Sequence, residues 1–162
     1  MRYNESTAYI ETSVKEIVSI SRRGISPTLV YDEDEPVIRE AARLTLNSIV
    51  GKITGEELHF EFAIGEYHFS LCAKADGIED GVITIAREIT SPSGKPSKDE
   101  CATVRGEAFI TAHLYAKIQS LSSVLLRIVY INPINLADTV NEENVKASKL
   151  ETFFNKCIKA SW

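Results

Sequence analysis

No window of this 162-residue chain reaches the roughly 18 consecutive apolar residues that a helical membrane span needs, so none is expected. Cysteine is scarce. Cys72, Cys101 and Cys157 are odd in number and show no CxxC spacing, which argues against a disulfide scaffold or a zinc cluster. Such sparse cysteine suits a reducing, cytoplasmic compartment. The opening MRYNESTAYIETS has no basic segment followed by an apolar one, so no secretory leader is expected. Positive charge is also short. The 18 Lys and Arg stand against 23 Asp and Glu, a formal net charge of -5. A free-standing nucleic-acid binder is usually basic, so contact with DNA would need a local patch or a neighbouring domain. Ser93-Gly94-Lys95-Pro96 is not a phosphate-binding loop, and no G-x-x-x-x-G-K-[ST] occurs, so the chain alone is not expected to hydrolyse ATP. G-x-S-x-G, HExxH and GxGxxG are absent, and no Cys/His pair has a recognisable ligand spacing. There is no internal repeat.

What is present is a core. A 44% hydrophobic chain of this length fits one domain over residues 1–162. Residues 12–23 begin with Thr12 or Ser13 as N-cap, with Glu16 in capping-box spacing from Ser13, carry an apolar stripe of Val14, Ile17 and Val18, and stop at Gly24. An acidic run over 32–35 precedes Pro36, which opens a second helix over about 36–50. Residues 57–64 and 67–76 alternate at period two around Gly65-Glu66, which reads as a hairpin. His59 and His68 could meet across it. A third strand covers 82–90, a loop 91–100, a helix about 105–122 with His113 on its surface, an apolar strand 124–131, and a last helix about 146–160 capped by Ser148. The pattern is mixed α/β: a small central mixed sheet of about four strands flanked by helices.

The stretch 72–90, CAKADGIEDGVITIAREIT, concentrates the chemistry. Its first strand ends in Ala75-Asp76-Gly77, and its second carries Glu88. With suitable pairing the two carboxylates can face the same side of one sheet.

This order of elements resembles the PD-(D/E)xK nuclease superfamily, with a restriction-endonuclease-like core. The likeness is to the RecB-like nuclease domain at the N-terminus of DinG-type, XPD-like DNA helicases, and it spans nearly the whole chain. TSVKEIVSISRRGI is similar to the opening helix of that domain, and EPVIREAARLTLN to its second helix. LCAKADGI is similar to its Asp strand, and LETFFNKCIKASW to the helix before the helicase part. The resemblance implies Mg²⁺ or Mn²⁺ bound by carboxylates, since hard cations take oxygen ligands. The metal and a lysine would then generate hydroxide and neutralise charge on the phosphate. Carried over by position, Asp76 matches the strand aspartate and Glu88 the Glu of Glu-x-Lys. Glu40 stands where a helix histidine often stands, and Tyr115 matches the tyrosine of a Gln-x-x-x-Tyr helix.

The departures are chemical. Thr90 replaces the lysine and cannot supply its charge, and Thr111 replaces the glutamine. Lys74, two residues before Asp76, could swing towards the metals in place of the missing lysine. Arg87 points to the other strand face and is a poorer substitute. The resemblance therefore implies a nuclease-like domain of DNA processing, with metal-dependent hydrolysis weakened or lost. The alternative is an inactive accessory domain that binds single-stranded or branched DNA or docks on a helicase module. In either case the chain would be the N-terminal part of a longer helicase polypeptide, or would meet the helicase in trans.

Overall fold

In the computed structural model the described residues are 2–4, 9–21, 57–89, 91, 93–132 and 138–161. Strand β1 (Arg2–Asn4) and β2 (Tyr9–Ser13) precede helix α1 (Val14–Ser21). The capping box at the start of α1 forms as its spacing requires. The Ser13 N–H donates to Glu16 Oε2 at 2.9 Å, and the Glu16 N–H donates to Ser13 Oγ at 3.3 Å. Next come the hairpin strands β3 (Glu57–Ile64) and β4 (Tyr67–Lys74). Gly65, at φ 59, supplies the left-handed residue at the first position of their two-residue turn. The register sets His59 opposite Cys72 and His68 opposite Ala63, so the two histidines do not meet. The helix expected over 36–50 lies outside the described residues.

The rest of the chain is β5 (Gly77–Glu79), β6 (Val82–Glu88), α2 (Lys98–Gln119), β7 (Ser123–Ile131), β8 (Asp138–Lys146) and α3 (Ala147–Ser161). The strands build two mixed sheets, in orders β1-β2-β4-β3 and β5-β6-β7-β8. Each has one parallel pair, β2 with β4 and β6 with β7. The mixed α/β class stands, but the described strands form two sheets rather than one. The extended run that starts at Tyr67 breaks at Ala75 and Asp76, and its continuation, β5, pairs with β6 instead of β3. A bend of this kind is how one chain turns the corner between two sheets. Consequently β4 and β6 are not sheet neighbours, and the face shared by Asp76 and Glu88 that a single sheet would allow does not arise from strand pairing.

Helix α2 is the common wall of both layers. It starts at an N-cap, Ser97, whose capping box with Glu100 lies earlier than the helix start expected near residue 105. Buried residues surround it from Val104 to Ala116. Ala108, Phe109 and Ala112 pack with Ile83, Ile85 and Leu126 of the second sheet. Ile110 and Leu114 pack with Leu71 and Ala73 of the first sheet, Ile17 of α1 and Phe154 of α3. A helix apolar on one stripe would need only one partner; this one needs two. His113 therefore lies inside, 4% exposed and stacked on Phe154 with ring centroids 4.6 Å apart. Its expected surface position is corrected.

Candidate functional site

Asp76 sits at the corner between the sheets. Its N–H donates to the Thr84 carbonyl at 3.0 Å, and its Oδ2 accepts the Ala86 N–H at 2.7 Å. The side chain thus satisfies the edge of β6 just beyond the start of β5, a backbone group that would otherwise lack a partner. Arg87, next along β6, brings Nη1 to 3.6 Å from the same Oδ2. Its Nη2 lies 2.7 Å from Glu107 Oε2 on α2. Glu107 is only 8% exposed, and a carboxylate so buried needs a cationic partner. The result is a carboxylate–guanidinium–carboxylate chain, Asp76–Arg87–Glu107, joining the corner, β6 and α2. Burial raises the Asp76 carboxyl above the ordinary range, against the lowering effects of the Ala86 N–H, Arg87 and Lys15.

The other expected site residues are dispersed. Lys74 Nζ lies 3.0 Å from Glu57 Oε1 on the exposed face of the hairpin, so its salt bridge is with β3 and not with Asp76. Glu88 is half-buried near the end of β6, in register with Ile131 and, by strand alternation, on the face opposite Arg87. The Tyr115 hydroxyl accepts the Gly81 N–H at 3.1 Å, at the β5–β6 turn and the far end of β6 from Arg87. Thr111 donates to the Glu107 carbonyl at 2.8 Å within α2. Glu40 and Thr90 lie outside the described residues.

A Mg²⁺ or Mn²⁺ site needs several oxygen ligands converging on one point with no competing cation there. Here the cation beside Asp76 is Arg87, and its second carboxylate partner is Glu107. A dication bound at Asp76 Oδ2 would face that guanidinium at contact distance. The described residues around Asp76 therefore fit a guanidinium and do not fit a divalent metal. Glu107 was not among the residues the sequence singled out, and Arg87 was considered only as a poor substitute for the lysine, on the other strand face. The available signal was an acid on α2 with apolar residues at nearly every neighbouring position, which demands a buried partner.

No protein-family model matches the chain, and no curated protein matches it. A solved structure, the crystal structure of SSO0001, is similar in fold, with a TM-score of 0.50 at 18% identity over 98% of this chain and 78% of that one. At that identity the likeness speaks for the fold alone. Among the described residues no helix is long and apolar enough to cross a membrane.

Proposed function

We propose that this chain is a nuclease-like domain of DNA processing in which metal-dependent phosphodiester hydrolysis has been lost, and that it serves as an accessory domain docking on a helicase module. The observation that carries the reading is the Arg87 guanidinium at 3.6 Å from Asp76 and 2.7 Å from Glu107. An internal cation takes the place at Asp76 that a catalytic metal would need. Loss of the lysine at position 90 is in keeping with it.

Charge favours docking over a grip on phosphates. Among the described residues Arg105 and Lys149 pair with Glu143, Lys117 with Glu151, Arg127 with Glu142 and Lys74 with Glu57. Cations already facing carboxylates release fewer counterions from DNA, so they add little to phosphate binding.

The test is one labelled DNA set, single-stranded and branched, with Mg²⁺ or Mn²⁺ and four proteins: wild type, Asp76→Ala, Lys74→Ala and Thr90→Lys. The expected result is no cleavage by any of them. Thr90→Lys stays silent because Arg87 still faces Asp76. Wild-type cleavage abolished by Asp76→Ala would overturn the reading. Tight, steeply salt-dependent DNA binding by wild type would replace docking by DNA binding as the accessory role.

A further inference from the structure

The outward face of the β3–β4 hairpin gathers three different metal-ligating side chains. Leu58, Phe60 and Phe62 point to the core, which leaves Glu57 and His59 on the outer side of β3. On β4, Phe69, Leu71 and Ala73 are buried, which leaves Cys72 and Lys74 outward. His59 and Cys72 are direct cross-strand partners, and Glu57 lies two residues before His59 on the same side. The Glu57 carboxylate, the His59 imidazole and the Cys72 thiol each bring a ligand atom within 4.8 Å of the others.

We propose that Glu57, His59 and Cys72 form a metal site of the zinc class, with a water as fourth ligand. The ligand chemistry selects the ion. One thiolate, one imidazole and one carboxylate suit borderline Zn²⁺ and do not suit Mg²⁺ or Ca²⁺. The geometry is close to ready. Two ligand bonds of about 2.0–2.1 Å at a tetrahedral angle put the ligand atoms about 3.4 Å apart. His59 Nε2 and Glu57 Oε2 are already 3.5 Å apart. Cys72 Sγ lies within 4.8 Å of both other ligand atoms, so the remaining contraction is towards the thiol. Lys74 engages Oε1 of Glu57 while His59 faces Oε2, so the ammonium can hold the carboxylate from outside without occupying the ligand oxygen. The site is separate from the Asp76–Arg87–Glu107 chain and does not depend on the nuclease-like reading.

Cobalt(II) is the probe, added to the reduced, metal-free protein and followed by absorption. The expected result is a saturable one-to-one complex with a thiolate-to-cobalt band in the near ultraviolet and d–d bands of four-coordinate intensity. Zn²⁺ should displace it. Cys72→Ser removes the band, and Cys101→Ser keeps it. His59→Ala and Glu57→Gln each weaken binding at least about tenfold, the smallest loss that removing even a supporting partner produces. All three ligands lie on the outward face of the hairpin, so the variants should keep the wild-type circular dichroism. A wild type without a thiolate band overturns the proposal. So does a band that survives Cys72→Ser, or one that neither His59→Ala nor Glu57→Gln weakens.

Discussion

Arg87 holds two carboxylates in different surroundings, Glu107 nearly buried and Asp76 at a corner. Removing the guanidinium leaves Glu107 charged and unpaired inside the molecule. Breaking a buried ion pair from one side costs about 3–5 kcal/mol. The Arg87 side chain is 29% exposed, so Arg87→Ala belongs near the lower end, about 3 kcal/mol. Urea unfolding of Arg87→Ala should show that loss, and adding Glu107→Gln should restore part of it, since the two residues are coupled. Additive effects would mean that the pair contributes nothing jointly.

His113 makes a second prediction at this scale. Burial lowers its pKa, and Lys117 lowers it further, while Glu151 opposes the shift. A histidine with a depressed folded pKa contributes stability that is intact above its unfolded value, about 6.5. That stability is lost as pH falls from there towards the folded value, because the unfolded chain takes up the proton first. Denaturation at pH 7.5 and 5.5 should therefore show a drop for wild type that is smaller in His113→Phe, which keeps the ring against Phe154. Equal drops in both proteins would remove His113 as the cause.

At the scale of elements, α2 carries the most structure. Its N-terminal turn lies within a stretch that looks like loop. Ser97 and Glu100 form a capping box that the sequence displays, yet the preceding Pro/Ser/Gly run reads as loop and hides the first turn. Alternation identified β3, β4 and β6 within a residue or two. It missed β8, whose DTVNEENVK is polar because the strand is held by its ladder to β7 and exposes most of its side chains. It also missed β1 and β2, which are short. The second sheet was not legible because no local pattern tells a straight strand from one that bends at Ala75 and Asp76.

Tyr115 tests whether α2 contributes structure or chemistry. Its hydroxyl serves the Gly81 N–H, in a turn where Gly81 itself adopts φ 84. Tyr115→Phe should cost about 1 kcal/mol, the net value of one hydrogen bond, read as a lower midpoint in thermal or urea unfolding. No loss of stability would show that the bond contributes nothing.

Across the whole molecule, the fold class was legible, but which side chains meet was not. Asp76 was expected to hold a metal; in the structure it accepts the Ala86 N–H and faces Arg87. Its neighbours Arg87 and Glu107 are 11 and 31 positions away, and only the packing of α2 on β6 brings the three together. Likewise His59 and Cys72 have no motif spacing, and the hairpin register alone makes them neighbours. Strand alternation placed Arg87 away from the Asp76 face. The observed register, with Gly77 opposite Thr84, instead sets Asp76 beside Ile85 and so on the face that Arg87 shares, where Arg87 Nη1 comes to 3.6 Å.

If Arg87 holds the cation position at Asp76, a divalent ion does not bind there. The most direct measurement is a Mg²⁺ titration into the millimolar range, following the backbone amides of Ala86 and Arg87 by NMR. Mg²⁺ is the right probe because it disfavours the His and Cys ligands of the hairpin. Both amides should stay unmoved in wild type, while Arg87→Ala, with the guanidinium gone, should show a saturable shift that Asp76→Ala in the same background removes. A saturable wild-type shift at Ala86 that is lost with Asp76→Ala would contradict the account.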